Sequence, residues 1–514
     1  MPSIEQQNNK RIAKNTLLLY FRMLLVMGVS LYTSRIVLRT LGVDDFGIYN
    51  VVGGLVAMFS VVSGALSSAI SRFLTFELGK GDEEQLSKVF SSSVSIQILI
   101  SLIVIVLAET IGLWFLNHQM VIPFDRLESA NWIFHLSILT FCVNLISVPY
   151  NAAIVAHEKM SVFAYVSVFD ALGKLAVAWG IAFSSVDKLI MYGLLMCCVS
   201  LFVRLIYGWY CKRYFKECNC RFVCDWSLLK RMFVFAGWNF VGSSSFILRE
   251  QGGSIVLNLF CGPAVNAAKG IATQINNAVY QFVYNFTMAL NPQITKSYAI
   301  GDMPYMMKLV FQGARLSFYI FSLLAIPVIL NVRYILNLWL HVVPEYSTIF
   351  VQLVLVFTLS ESISLPLQTV MLATGKIRNY QLVVGGLQLL NLPISYVLLK
   401  MGFAPESVFV VAIFLSQICL FARFFLLKKM VSFDTVSFIK KVYLNVCYVS
   451  VIGLIVPVTL CCFIQRDSFI KFALSFAVAG LSMFFSILFV GCSREERMFV
   501  FRKICEIGKK VFRQ

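Results

Sequence analysis

Long apolar stretches recur along the whole chain and are separated by short polar gaps. Hydrophobic residues make up 59% of the 514 residues and charged residues only 13%. Soluble domains are about 45–50% apolar and about 25% charged. A chain with this composition has more apolar surface than one water-soluble core can bury. The pattern is typical of a protein that crosses a membrane many times.

Each crossing needs about 20 consecutive apolar residues, and a backbone in lipid must satisfy its hydrogen bonds internally. We therefore predict an all-α membrane protein with about 14 transmembrane helices. The candidate spans lie near residues 17–38, 49–70, 92–116, 131–155, 160–183, 189–210, 232–260, 267–292, 309–331, 349–373, 380–399, 406–427, 442–464 and 469–491.

The positive charge predicts how these helices are oriented. The net charge is +18, and most Lys and Arg residues fall on one side when both termini are placed in the cytoplasm. Cytoplasmic loops carry an excess of Lys and Arg, so the charge requires no nucleic-acid partner. The basic N-terminal segment lacks a small-residue cleavage site and is expected to enter an uncleaved first helix. We expect a multi-pass membrane protein with both termini in the cytoplasm, whose basic tail either lies on anionic lipid or stays solvated.

The fourteen cysteines are scattered, many of them inside predicted spans. This usage favours small packing residues over a disulfide framework. One basic loop holds Cys211, Cys218, Cys220 and Cys224, but their spacing matches no standard zinc pattern. We expect no metal site and no cofactor, and coupling to H⁺ or Na⁺ is left open.

Two stretches of the chain match each other at long range. Residues Ile146–Met160 resemble Ile363–Ile377, about 217 residues later, and Thr75–Phe90 resemble Thr295–Val310, about 220 residues later. A weaker match joins Ser34–Gly42 to Gly253–Gly262. The agreement of the separations indicates that spans one to six are duplicated as spans seven to twelve. An even number of spans makes the two copies parallel, an arrangement found in transporters.

The duplication predicts the domain organisation. Residues 1–210 form the first six-helix repeat, 211–231 a basic cytoplasmic linker and 232–430 the second repeat. Residues 431–491 form two appended helices, and 492–514 a basic tail. Pro149 and Pro366 fall at equivalent places in spans four and ten. A proline inside a helix removes a hydrogen bond and kinks it, so each is either a hinge or a fixed bend.

The segment Thr33–Leu55 contains Leu41-Gly42 followed by Phe46-Gly47 and Tyr49. It resembles the first-to-second helix segment of the Wzx-type flippases, within the multidrug/oligosaccharidyl-lipid/polysaccharide exporter superfamily. The six-plus-six duplication with two extra helices fits that family. The resemblance implies a MATE-like fold that moves polyprenyl-pyrophosphate-linked oligosaccharide by alternating access. It also implies that the membrane is the bacterial inner membrane. The product would be a surface polysaccharide such as O-antigen, capsule or exopolysaccharide, and a polymerase and glycosyltransferases would be partners.

Charged residues inside the predicted spans are the candidate functional residues, because a charge at the bilayer centre costs at least about 2.5–3.5 kcal/mol. The cations are Arg22, Arg35, Lys174, Arg204, Arg249, Lys269 and Arg315, and the acids are Glu109, Asp170, Glu250 and Glu361. A long side chain near a helix end can extend to the polar membrane surface. This would explain why Arg204 and Arg315 stand inside predicted spans.

Four of these cations lie on spans one, seven and eight. In the family that the chain resembles, the first helices of the two halves line a central cavity. The resemblance therefore implies that Arg22, Arg35, Arg249 and Lys269 face it and contact the substrate pyrophosphate. Arg suits this task because its fork binds phosphate oxygens and stays charged when desolvated.

The acids allow two interpretations. Glu250 follows Arg249 directly and is either its partner or a proton carrier. Because neighbours on a helix point about 100° apart, a direct pair is not expected. Gly252 and Gly253, just beyond, could let the helix break. Asp170 and Lys174 are four residues apart and can pair on one helix face. Glu361 lies in the middle of span ten and is either a coupling acid or an internal ion-pair partner.

Other functions fit less well. The chain has no G-x-x-x-x-G-K-[ST] phosphate loop, and its four histidines do not cluster. An ion-coupled small-molecule exporter of the same fold is one alternative, and a membrane glycan polymerase or ligase is another. The second would normally carry a large loop outside the membrane, which the sequence does not show. We therefore expect a transporter and not an enzyme.

Overall fold

The computed structural model describes residues 4–57, 59–118, 124–183, 187–218, 225–340, 343–463, 469–494 and 496–498. These residues are helical almost throughout, and no strand occurs among them. The α-helices are α1 (Ile4–Ala57), α2 (Ser60–Lys80), α3 (Glu83–Leu107), α4 (Leu113–His118), α5 (Leu127–Ala156), α6 (Met160–Gly180), α7 (Lys188–Tyr214), α8 (Trp226–Ala299), α9 (Met303–Trp339), α10 (Ser347–Ser362), α11 (Leu365–Thr374), α12 (Arg378–Leu389), α13 (Asn391–Lys400), α14 (Ser407–Val431), α15 (Thr435–Phe438), α16 (Leu444–Phe463) and α17 (Phe469–Ser486).

The prediction of an all-α membrane protein is confirmed. Within the described residues, ten helical segments are long and apolar enough to cross a membrane, or up to eleven if the bent pair α10 and α11 counts as one span. The predicted spans near 49–70, 232–260 and 267–292 are helical but are not among them. The count of fourteen therefore stays a prediction. Large apolar side chains are exposed on many of these helices, as lipid-facing surfaces require.

The described residues fall into two compact units. Those within Met1–Ser244 and Ala289–Met303 form unit 1, and those within Ser245–Met288 and Pro304–Gln514 form unit 2. Helix α8 contributes to both. Phe134 and Tyr192 belong to the core of unit 1, and Phe321 and Phe350 to that of unit 2. The two units are defined by compact packing and not by the sequence repeat. The domain boundaries drawn from the repeat therefore stay a prediction.

Equivalent turns support the duplication. Gly81 and Gly301 occupy matching places, and their φ angles are +75° and +79°. Each is followed by an aspartate, and Asp82 caps α3 by accepting a hydrogen bond from the Gln85 amide. Glycine suits this turn because residues with a Cβ rarely adopt positive φ. The same short sequence thus builds the same turn twice.

The two equivalent prolines have different surroundings. Pro149 lies inside the continuous helix α5. Pro366 lies in the first turn of α11, where a proline needs no amide hydrogen, and the chain bends by 44° between α10 and α11. The prediction that both lie in a helix interior is therefore wrong for Pro366. A hinge role for either residue stays a prediction.

The segment that resembles the flippase motif bends helix α1. Gly42 has φ +82° and ψ +174° inside α1, which breaks the helical path. Just beyond it, the buried Asp45 carboxylate lies 3.3 Å from the Arg126 guanidinium, and Arg126 lies 2.6 Å from Asp187 at the start of α7. Tyr49 packs edge-on against Tyr192. The motif therefore positions the first bend within unit 1.

Candidate functional site

Arg249 and Glu250 form an ion pair on α8 in unit 2. The Arg249 side chain is 7% exposed, and its Nη2 lies 2.9 Å from Glu250 Oε1. The expectation that adjacent residues would not pair is wrong. The Cα–Cβ bonds of neighbours diverge on a helix, but the long arginine side chain curls back far enough to meet the carboxylate.

Two aromatic rings also contact the Arg249 guanidinium. Its Cζ lies 4.9 Å from the ring centre of Phe246 and 4.9 Å from that of Phe357. Phe357 belongs to α10, so the guanidinium joins α8 to a second helix of unit 2. A desolvated cation over an aromatic face gains about 2 kcal/mol. Arg249 is thus held in a fixed place between α8 and α10.

Lys269 completes a charged cluster with this pair. Its Nζ donates to the Glu250 carbonyl at 2.7 Å and to Ser254 Oγ at 2.9 Å. In a straight helix, residues 19 positions apart would be separated by about 28 Å, so the chain folds back between residues 254 and 269. Arg249, Glu250 and Lys269 are called the charged cluster below. Two cations and one acid meet there with a formal excess of one positive charge.

The two glycines beside the cluster serve close packing. A Cβ on Gly253 would lie 3.2 Å from Lys269 Nζ, and one on Gly252 would lie 2.6 Å from the Leu392 side chain. Helix α8 continues through both residues. The expectation that the helix breaks at this place is therefore wrong. The missing side chains instead leave room for the lysine ammonium and for α13.

Glu361 has a partner that the sequence analysis did not single out. Arg423, on α14 and only 1% exposed, lies 3.4 Å from the Glu361 carboxylate. Two hydrogen bonds of 3.5 and 3.4 Å join them. Glu361 is one helical turn beyond Phe357 on α10. Glu361 therefore has an internal ion-pair partner, which was one of the two alternatives drawn from the sequence. A coupling role stays a prediction.

The candidates of unit 1 are held separately. Asp170 and Lys174 pair at 2.7 Å on α6. The Arg22 guanidinium lies 4.6 Å from the Phe163 ring centre, and that of Arg204 lies 3.8 Å from the Tyr150 ring centre. The side chain of Arg35 lies outside the described residues. Of the four predicted pyrophosphate contacts, the structure joins Arg249 and Lys269 in one cluster.

Two further charges from the predicted spans have partners. His135 Nδ1 lies 2.8 Å from Glu109 Oε1 within unit 1. In unit 2, Arg315 on α9 lies 2.9 Å from Glu496 and donates to the Gly491 carbonyl at 3.2 Å. Arg315 therefore binds the segment after α17. This contact, and not an extension of the side chain from a helix end to the membrane surface, explains its position.

The described residues contain no group of three His, Cys, Asp or Glu side chains that could hold a metal ion. In the basic loop, Cys211 and Cys218 are buried free thiols. Cys211 donates a weak hydrogen bond to the Tyr150 carbonyl. Cys220 and Cys224 lie outside the described residues. The thiols that can be described therefore serve packing.

A family of known proteins matches the chain. The model of the family described as "Polysaccharide biosynthesis protein" matches residues 12–310, which is more than half of the chain. The chain belongs to this family. The matched range includes the motif at Gly42 and the whole charged cluster, so the resemblance drawn from that motif is confirmed.

A curated relative and several solved structures agree with this assignment. The chain is 22% identical over 340 residues to the "Uncharacterized membrane protein EpsK" of Bacillus subtilis, and the match covers 63% of this chain. It spans 64% of that relative, less than two thirds of its length. The relative is thus a membrane protein as well.

The solved structures show the fold. A MATE transporter in complex with MaL6 matches with a TM-score of 0.68 at 12% identity, covering 82% of this chain and 96% of that one. The MATE transporter ClbM matches with a TM-score of 0.70 at 14% identity, covering 81% and 94%. A MOP superfamily transporter from Pyrococcus furiosus matches with 0.67 at 11%, covering 82% and 96%. This member of the polysaccharide biosynthesis family therefore has the MATE transporter fold, as predicted.

Proposed function

We propose that this protein flips polyprenyl-pyrophosphate-linked oligosaccharide across a bacterial inner membrane for surface polysaccharide assembly. Family membership places the chain in polysaccharide biosynthesis, and the fold is that of transporters. A substrate that bears a pyrophosphate needs positive charge at membrane depth. The single observation that carries the proposal is the charged cluster, in which Arg249 and Lys269 are both buried.

The chemistry of the cluster suits a pyrophosphate. Arg249 offers a planar fork to two phosphate oxygens, and Lys269 offers a compact point charge. Glu250 and the Ser254 hydroxyl hold these cations at rest. An arriving phosphate would replace Glu250 as the partner of Arg249. Because both cations are already buried in the folded protein, substrate binding does not have to desolvate them.

The direct test is flipping by the purified protein in proteoliposomes. A fluorescent undecaprenyl-pyrophosphate oligosaccharide is placed in both leaflets, and a membrane-impermeant glycosidase removes the sugar from the outer one. Flippase activity exposes the inner pool to the enzyme at a rate proportional to the protein. Protein-free vesicles give the background. A rate equal to that background contradicts the proposal.

A second candidate is an ion-coupled exporter of small molecules. It is favoured by the similarity to MATE structures, one of which is that of a multidrug resistance transporter. Its expression would raise the resistance of cells to cationic drugs, which a flippase would not do. Sugar chains that lengthen during the proteoliposome assay would instead indicate a polymerase. Association with a polymerase and glycosyltransferases is part of the flippase proposal.

Orientation can be tested at an exposed residue near the basic loop. We propose that both termini and this loop face the cytoplasm. The Lys216 side chain is 85% exposed, whereas Cys211 and Cys218 are buried, so a Lys216→Cys variant is a better reporter than the native thiols. Impermeant maleimide should label position 216 only after the cells are opened, with mass spectrometry identifying the peptide. Labelling in intact cells would reverse the orientation.

Coupling to a proton gradient can be tested at Glu361 and Glu250. If either carries the coupling proton, its Gln variant should lose the acceleration of flipping by a pH gradient. Because Glu361→Gln leaves Arg423 without its partner, flipping must be normalised to the amount of folded protein. Glu84→Gln, at an exposed i,i+4 pair with Lys88, is the matched control. Unchanged acceleration in both variants shows that neither acid carries the coupling proton. No acceleration by a pH gradient in the wild type would favour flipping driven by the substrate gradient.

A further inference from the structure

Glu158 is a buried acid of unit 1 that the transport proposal does not use. Its side chain is 1% exposed. Oε1 accepts from Lys296 Nζ at 2.7 Å, and Oε2 accepts from Gln293 Nε2 at 2.6 Å. Arg11 Nε lies 3.0 Å from Oε2. One carboxylate therefore receives two cations and an amide from two other helices.

The backbone of Glu158 is also unusual. Its φ angle is +58°, a conformation that costs a residue with a Cβ about 1–2 kcal/mol. In the duplicated stretch, the equivalent position is Gly375, whose φ is +75°. The second copy of this turn thus uses the residue that fits, and the first copy carries a strained glutamate. Unlike glycine, the strained Glu158 provides a carboxylate at this turn.

The contacts of Glu158 join parts of the two repeats. Arg11 lies in the N-terminal part of helix α1, and Asn15 on the same helix donates to the Glu158 carbonyl at 3.3 Å. Glu158 itself lies in the turn between α5 and α6, also within the first repeat. Gln293 and Lys296 lie near the end of α8, in the second repeat. The acid therefore fastens the end of a second-repeat helix to the first repeat.

Close packing surrounds this attachment. A Cβ added to Gly79, near the end of α2, would lie 3.0 Å from Ala299 Cβ and 3.0 Å from Lys296 Cα. Burial lowers the pKa of Lys296, although the Glu158 carboxylate opposes that shift. The end of α8 is thus closely packed at Lys296, and a largely buried charge there depends on its partner.

The predicted topology places all of these residues on one side of the membrane. Arg11 precedes the first predicted span, Glu158 follows the fourth and Lys296 follows the eighth. An even number of crossings separates each from the next, so all three are predicted to be cytoplasmic. In unit 1, Arg11 and Lys296 both lie within 3.0 Å of the Glu158 carboxylate, as residues on one side of a membrane can. The attachment therefore lies where a transporter of two repeats would open toward the cytoplasm.

We propose that Glu158 is the catch of a cytoplasmic latch, which holds the end of α8 against the first repeat and releases it in each transport cycle. The proposal rests on the transport function proposed above. Repeats that rock against each other must break the contacts that join them on the side that opens. Because all three partners bind one carboxylate, their contacts can break together.

Hydrogen exchange of the full-length protein in lipid nanodiscs tests the latch without a transport assay. Glu158→Gln removes the charge that holds Lys296 and Arg11. Amides 293–300 should then exchange about tenfold faster or more, since the largely buried Lys296 ammonium loses its partner. The Glu84→Gln control should leave these amides unchanged. Exchange that rises throughout unit 1, or not at all at 293–300, overturns the latch.

A second variant protects this test against misfolding. Glu158→Gly removes the carboxylate and relieves the positive φ, as in the second copy of the turn. It should show the same local increase in exchange at 293–300, with a melting temperature no lower than that of Glu158→Gln. If Glu158→Gly leaves the end of α8 as protected as the wild type, the carboxylate does not hold it, and the proposal fails.

A reversible cross-link tests whether the latch must open during transport. Glu158 and Gln293 touch through the ends of long side chains, so cysteines at these positions are joined by a bis-methanethiosulfonate reagent instead of a direct disulfide. Mass spectrometry confirms that the reagent links these two residues. The cross-linked protein should lose flipping, and reduction should restore it. Flipping at the uncross-linked rate in the cross-linked protein overturns the latch. If the wild type flips nothing, the transport proposal fails, and the exchange experiment still decides whether Glu158 holds α8.

Discussion

Arg249→Ala is expected to abolish flipping while the protein still accumulates in the membrane. Truncating one partner of a buried, hydrogen-bonded charge contact costs about 2–5 kcal/mol, which is at least about thirtyfold in rate. Arg249→Lys should recover only part of the rate, because a bidentate fork becomes a point charge. Flipping in proteoliposomes, measured beside the amount of folded protein, gives both values.

The control for this prediction is Arg213→Ala, which removes an exposed arginine at the end of α7. It should leave both flipping and abundance unchanged. Lys269→Ala should resemble Arg249→Ala, and the double variant should lose less than the two losses combined, because both cations hold one ligand. If flipping by Arg249→Ala falls only in proportion to abundance, Arg249 packs α8 against α10 and does not bind pyrophosphate.

Arg423→Met is expected to destabilise the protein strongly. It leaves the Glu361 carboxylate without its cation inside unit 2, and breaking a buried pair on one side costs about 3–5 kcal/mol. Replacing both partners, with Arg423→Met and Glu361→Leu together, should recover most of that loss because no buried charge remains. The melting temperature in detergent and the abundance in membranes measure the effect.

The two variants also separate structure from coupling. If the double variant is stable but has lost the acceleration by a pH gradient, the pair acts in coupling. If it is stable and fully active, the pair serves the fold alone. A single Arg423→Met variant as stable as the wild type would contradict the burial of this pair.

The sequence predicted the helices and the depth of the charges better than their partners. Apolar runs of sufficient length need no tertiary information to be helical in lipid, and the turns at Gly81 and Gly301 repeat because their sequences repeat. Glu361 was visible as an intramembrane acid. Arg423 was missed because it stands near the end of a span, close to Lys428 and Lys429, where a cation usually marks the membrane surface.

Partners far apart in the chain explain the other differences. The Arg249–Glu250 pair depends on how a long side chain curls, which helical periodicity does not describe. The contact between Lys269 and Glu250 depends on the chain folding back between them. Glu158 drew no attention because it lies in a short polar turn, although its match with Gly375 could have marked it. A glutamate where the other copy has glycine is the signal that was available.

The docking of Arg315 has a consequence for how the protein is made. Its partner Glu496 lies 181 residues later in the chain. At a synthesis rate of about 5–20 residues per second, that interval takes about 10–40 s. During this time the newly inserted α9 carries a guanidinium whose final acceptors, Glu496 and the Gly491 carbonyl, have not yet been translated. Biogenesis must therefore keep this helix in contact with water, lipid phosphate or the insertion machinery until α17 and Glu496 arrive, and unit 2 reaches its final form only after Glu496 has been translated.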